Sequence, residues 1–166
     1  MIEKIRRRLL EEDRELSREE VMHIIEKMVL DEEEYLSVHA YRSRIERLYA
    51  KLRSKLGILE LYINNDCVHE IMINGPNTFF FETKDGIQRL EESFDSVEEL
   101  EEIIRNIAAS VHRESNEMHP ILDARLPDGS RVNAVYKNIA AEGPILTIRK
   151  FAKERITMDD MIRSGT

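Results

Sequence analysis

What the sequence lacks narrows the possibilities before any motif is considered. A single cysteine, Cys67, excludes an intrachain disulfide and a zinc site built from several cysteines. No apolar run approaches the ~18 residues that a membrane-spanning helix needs, and the N-terminal stretch MIEKIRRRLLEEDRE has no signal-peptide apolar region. We therefore expect a protein of the cytoplasm, where thiols stay reduced.

Positive charge is also scarce. The chain has 25 lysines and arginines against 33 aspartates and glutamates, a net charge of −8. This balance argues against nonspecific binding to nucleic acid, so no nucleic-acid partner is expected. No metal site is predicted either, because the histidines are not spaced as metal ligands are. They are His23, His39, His69, His112 and His119.

Glycine and proline are missing from the first 56 residues, which predicts a helical N-terminal region over residues 1–55. Ser17 and Glu20 have the spacing of a capping box, which marks a helix start. Apolar residues then recur with helical period, and a second long helix is predicted through Tyr35, Val38, Ile45, Leu48, Tyr49 and Leu52.

After Gly57 the pattern changes to short strands. Residues 56–155 predict a short helix, one strand, a hairpin, a helix capped by Ser96, a second hairpin and a last strand. The acidic stretch EELEEIIR on the major helix is expected to be a solvated face. The predicted fold class is α+β, with the N-terminal helical region followed by an antiparallel-sheet, PAS-like domain packed with helices.

The second hairpin places two arginines opposite each other. In DARLPDGSRVNAV, proline and glycine suit the turn positions of a three-residue loop over 127–129. That loop pairs Leu126 with Ser130, and Arg125 then faces Arg131.

Strand alternation puts these arginines on the face opposite the core. Asp123 and Asn133 share that face, and on the last strand, ILTIRKF, so does Arg149. If this strand neighbours the hairpin, three arginines form one patch. Two interpretations stay open. Either a carboxylate from Asp123, Asp128 or Glu142 bridges the arginines in a solvated network, or the patch binds a phosphate, which two guanidinium forks fit well.

Three stretches resemble a known family. INGPNTFFFE, ILDARLPDGSRVNAV and GPILTIRKF, in this order and spacing, resemble the N-terminal domain of the hexameric type II and type IV secretion traffic ATPases, and most of all the CpaF type that assembles Flp (tight-adherence) pili in bacteria. The likeness covers roughly residues 55 to 166. LPDGSR followed by IRKF is its most specific element.

The sequence departs from that family in one respect. The family hydrolyses ATP in a RecA-like domain with a P-loop, and no glycine here opens the pattern G-x-x-x-x-G-K-[ST]. We therefore expect a fragment or isolated N-terminal domain in which the catalytic domain is absent and residues 156–166 begin the linker to it. The parent protein is expected to be an ATPase and this chain alone to be inactive.

The resemblance implies a supporting role. In the family, the N-terminal domain covers ATP and Mg held by the catalytic domain, and its arginines reach the phosphates; the matching residues here are Arg125, Arg131 and Arg149. It further implies a homohexamer, contacts with the protein's own C-terminal ATPase domain, and an inner-membrane platform protein, at the cytoplasmic face of the membrane. The alternative is a stand-alone, non-catalytic module for ligand sensing or protein docking.

Overall fold

A computed structural model describes residues 1–12, 14–31 and 36–151. The chain forms two compact units, Met1–Asn65 (the helical unit) and Asp66–Thr166 (the sheet unit). The division lies later than the predicted boundary at residue 55 because the short helix after Gly57 contacts the preceding long helix. The predicted linker over 156–166 and the helical position of Tyr35 lie outside the described residues.

The described part of the helical unit forms four helices: α1 (Ile2–Leu10), α2 (Arg18–Leu30), α3 (Val38–Arg53) and α4 (Leu59–Ile63). The predicted capping box is confirmed: the Ser17 hydroxyl accepts from the Glu20 amide, and the Glu20 carboxylate accepts from the Ser17 amide. Helices α1, α2 and α3 contact one another around one apolar core, formed by Ile5, Leu16, Val21, Ile25, Val29, Ile45 and Leu48.

Up to residue 151, where the described residues end, the sheet unit has six strands, one long helix and a 3₁₀ turn. The strands are β1 (Glu70–Asn74), β2 (Phe79–Thr83), β3 (Gly86–Leu90), β4 (Ile121–Arg125), β5 (Arg131–Val135) and β6 (Ile145–Arg149). Helix α5 spans Val97–Ser110 between β3 and β4, and the 3₁₀ turn spans Lys137–Ile139. All neighbouring strands are antiparallel in the order β3-β2-β1-β6-β5-β4, so the predicted α+β class is confirmed.

The two faces of this sheet differ in polarity. The inner face is buried and apolar, through Ile71, Ile73, Leu122, Val132, Ala134, Leu146 and Ile148. Helix α5 contributes a matching buried stripe of Leu100, Ile103, Ile104 and Ile107. The outer face alternates with these positions and has exposed polar side chains at one end.

Two glycine-containing loops meet at the end of β1 and β6 that lies away from these polar side chains. Gly75 has φ +70°, donates its amide to the Pro144 carbonyl at 2.9 Å, and leaves no room for a side chain, because a Cβ there would lie 2.4 Å from the Glu142 carbonyl oxygen. Only glycine combines this left-handed backbone with so close an approach. The contact ties the turn after β1 to the loop before β6.

Candidate functional site: a row of arginines

The β4–β5 hairpin folds as its turn residues predict. The Leu126 amide donates to the Ser130 carbonyl at 2.8 Å, the Gly129 amide donates to the Leu126 carbonyl at 2.9 Å, and Gly129 has φ +89°. Arg125 is then the direct partner of Arg131, as predicted. Because the adjacent Leu126–Ser130 pair is hydrogen-bonded, the arginine pair is of the non-hydrogen-bonded kind, whose side chains lie closest together.

The third arginine joins the same row. Strand β6 pairs with β5 in the register that makes Arg149 the direct partner of Arg131. Directly opposite residues share a face and have Cβ atoms about 4.5–5.5 Å apart, so the three guanidinium groups extend from one end of the outer face. All three residues are exposed. The structure therefore brings together the three arginines singled out in the sequence.

Carboxylates continue the row on the other half of the sheet. Glu70 on β1 is the partner of Arg149, and Glu82 on β2 is the partner of Glu70. Sequence reasoning missed both residues. The alternation of polar and apolar residues in HEIMING could have predicted the position of Glu70. It places Glu70 on the face of the sheet opposite to the buried Ile71 and Ile73.

The arginines have no carboxylate partner within the residues that the structure describes. Among these, no carboxylate oxygen lies within 4.0 Å of a guanidinium nitrogen of Arg125, Arg131 or Arg149. The described part of the chain therefore does not form the bridging network that was the alternative to an anion site.

Asp128, one of the expected bridging residues, is used by the turn itself. Its two carboxylate oxygens accept from the Ser130 amide at 3.0 Å and from the Ser130 hydroxyl at 2.9 Å. The Ser130 oxygen in turn accepts from the Phe151 amide at 3.2 Å, and the Phe151 ring lies over Gly129. Because these bonds hold the end of the hairpin, the turn positions Arg125 and Arg131.

Like charges in direct cross-strand contact are unfavourable by roughly 0.2–1 kcal/mol for a solvated pair. A phosphate between the side chains reverses the sign, because each guanidinium then makes charge-assisted hydrogen bonds to a shared anion. A row of arginines on adjacent strands is consequently suited to binding an anion, and the planar guanidinium fork loses less side-chain freedom per hydrogen bond than a lysine ammonium does.

A second charged cluster corrects one expectation. EELEEIIR was expected to be solvated, but Glu101 is buried, with 4% of its surface exposed. Lys137 from the 3₁₀ turn contacts its carboxylate at 3.2 and 3.3 Å, and Arg105 lies 3.9 Å from it. Glu101 raises the pKa of Lys137 through a hydrogen bond to the carboxylate. The cluster connects α5 to the segment after β5.

Metal ligands are not grouped in the described ranges. No set of three or more histidine, cysteine, aspartate or glutamate side chains there could hold a metal ion. In the same ranges, no helix is both long and apolar enough to cross a bilayer.

Comparison with known proteins identifies relatives of the chain. No family model matches it. The protein MJ0781 of Methanocaldococcus jannaschii is 39% identical over 128 residues, which are 76% of this chain and 18% of that protein. The type IV secretion system protein VirB11 of Bartonella henselae is 27% identical over 113 residues, 68% of this chain and 32% of that protein.

A solved structure points in the same direction. The VirB11 ATPase from the Brucella suis type IV secretion system, in complex with sulphate, matches with a TM-score of 0.59 at 22% identity, covering 75% of this chain and 37% of that one. At this identity the match establishes a shared fold. The chain thus spans between about a fifth and just over a third of the length of the relatives that it matches here, and it is related in sequence and fold to part of the VirB11 type IV secretion proteins.

Proposed function

We propose that the chain is the N-terminal domain of a hexameric secretion or pilus-assembly ATPase, and that it supplies arginines to the phosphates of ATP held by a catalytic domain. The observation that supports this most directly is the row of Arg125, Arg131 and Arg149, on three adjacent strands and without carboxylate partners among the described residues. The relation to VirB11 proteins supports the wider assignment.

The chemistry assigned to the row is stabilisation of negative charge. Guanidinium groups that reach a phosphoryl group in transit stabilise the negative charge that develops on it. The same contacts distinguish ATP from ADP, since the row gains or loses partners with the γ-phosphate. The exposed guanidinium forks fit phosphate oxygens, whereas Mg in this proposal is held by the catalytic domain.

The finer assignments are also proposals. We assign the chain to the CpaF type of pilus-assembly ATPase on the motifs of the hairpin and last strand. Its partners are then its own C-terminal ATPase domain, neighbouring subunits of a homohexamer and an inner-membrane platform protein, and it works at the cytoplasmic face of the membrane.

The coding sequence after Thr166 tests this assignment. A P-loop within the following domain is the expected result, and the arginine variants are then assayed for ATP hydrolysis in that longer protein. A stop codon after Thr166 would instead support a stand-alone module for ligand sensing or protein docking.

A further inference from the structure

A cleft of about 430 Å³ lies within the helical unit, far in sequence from the arginine row. The side chains that matter for its chemistry are Arg18 at the start of α2, Tyr49 and Arg53 on α3, Lys55 after α3, and Glu60 on α4. We call it the helical cleft. Three cations and one carboxylate around a cavity make it electropositive, although the chain as a whole is acidic.

The two arginines of the helical cleft are held by neutral groups. The Arg18 guanidinium carbon lies 5.1 Å from the centre of the Tyr49 ring, a cation–π contact. Arg53 donates from Nη2 to the Leu16 carbonyl at 3.1 Å. Within the described ranges neither arginine has a carboxylate within 4.0 Å. Both groups are therefore oriented, and no carboxylate of the described residues pairs with either.

We infer that the helical cleft binds a phosphate-bearing ligand through Arg18 and Arg53. A phosphate group presents several acceptor oxygens and up to two charges, which matches two guanidinium forks. The Tyr49 ring and the Leu16 carbonyl fix the forks before the ligand arrives, so less side-chain freedom is lost on binding. Glu60 opposes the anion and limits its affinity.

The ligand can be a soluble phosphate compound or a phospholipid headgroup, and two arms of one experiment separate these sources. In the first arm, the 166-residue chain is titrated with pyrophosphate and followed by calorimetry and amide NMR. In the second, it is sedimented with phosphatidylglycerol vesicles and, for comparison, with phosphatidylcholine vesicles. Each arm uses wild type, Arg18→Ala, Arg53→Ala and, as the matched control, the exposed α3 variant Arg42→Ala.

We expect binding in at least one arm. The arm in which binding is observed identifies the source of the phosphate group. Each cleft variant should weaken it by about tenfold or more, since each removes a charge-assisted hydrogen bond. Arg42→Ala should change it by less than about threefold. Glu60→Gln should strengthen binding several-fold and keeps the test valid if an arginine variant unfolds. No binding in either arm, or equal loss in Arg42→Ala and the cleft variants, would overturn the inference.

Discussion

Arg125 and Arg131 are direct partners across the β4–β5 hairpin, and neither guanidinium has a carboxylate within 4.0 Å in the described part of the chain. The pair adds repulsion to the hairpin without adding packing, since both residues are exposed. Its presence is understandable if the two charges share an anion supplied from outside this chain.

Replacing Arg131 with alanine distinguishes a role in phosphate binding from a role in stabilising the fold. In this chain, Arg131→Ala should leave the free energy of unfolding unchanged or raise it slightly, because a like-charge contact is relieved. In a longer protein that includes the catalytic domain, the same change should lower ATP turnover by about 10–1000-fold, as for loss of one charge-stabilising donor. Arg131→Lys should restore only part of the rate, since it keeps the charge and loses the fork.

The control for that experiment is Arg89→Ala, on the same face of the sheet but on strand β3, outside the row. Urea unfolding of the short chain and steady-state ATP hydrolysis by the longer one give the two readouts. A less stable short chain together with normal turnover would show that Arg131 serves the fold.

The isolated chain should release no phosphate from ATP above a buffer blank, because the sequence contains no P-loop. A magnesium-dependent malachite-green assay on chain purified through two orthogonal columns is sufficient. Turnover that co-purifies with the chain through both columns would contradict the proposed function.

The capping box of α2 should titrate at an unusually low pH. Arg14 and the Ser17 amide donate to the Glu20 carboxylate and lower its pKa to about 2. Because the folded pKa lies below the unfolded value of about 4.3, the stabilisation is present above pH ~4 and is lost as the pH falls towards 2.

An NMR titration of the Glu20 side-chain carboxyl checks this value, and Arg14→Ala should move the midpoint upwards because the hydrogen bond from Arg14 is the largest cause of the low pKa. The Glu20→Gln variant should lose less stability than the wild type as the pH falls from about 4 to about 2. A midpoint near the ordinary glutamate value of about 4.3 in the wild type would disprove the assigned contacts.

The close contact between the two glycine loops predicts unequal costs for two alanine substitutions. Gly86 has φ +108° and no heavy atom within 4 Å of the position that a Cβ would take, so Gly86→Ala should cost about 1–2 kcal/mol for backbone strain alone. Gly75→Ala should cost more, since its Cβ also meets the Glu142 carbonyl oxygen. Equal urea midpoints for the two variants would contradict this contact.

The buried carboxylate of Glu101 depends on Lys137. Lys137→Met should lower the free energy of unfolding, because it leaves the buried Glu101 carboxylate with weaker compensation. Glu101→Gln combined with Lys137→Met should recover part of that loss, whereas Lys84→Met, at an exposed turn, is the matched control. The measurement is the free energy of urea unfolding of each variant. If the two single changes add up to the change in the double variant, Glu101 and Lys137 are not coupled.

The hairpin and its arginines were predictable because local rules decide them. Proline and glycine specify the loop after Leu126, the loop specifies the register, and strand alternation then assigns each arginine to a face. The burial of Glu101 was partly predictable, since it lies one helical turn from Val97 and Ile104 on the apolar stripe of α5. The contact with Lys137 was not predictable from the sequence, because it depends on how segments that are distant in the chain pack together.

The sequence also could not show that Arg125 and Arg131 have no carboxylate partner among the described residues. Asp128 is close to both in the chain, and only the structure shows that its carboxylate is taken up by Ser130. The helical cleft was missed because its residues come from three separate segments.

The strand order has a consequence for how the chain acquires its structure. Strands β1 and β6, the first and last of the described strands, are partners at the centre of the sheet, with Ile71 opposite Ile148. Such non-local pairing slows folding, because a long loop must close before the contact forms. During synthesis the two outer hairpins can form early, but the sheet stays divided until β6 has emerged. Arg149 is on β6, so the arginine row is completed in the same step that joins the two halves of the sheet.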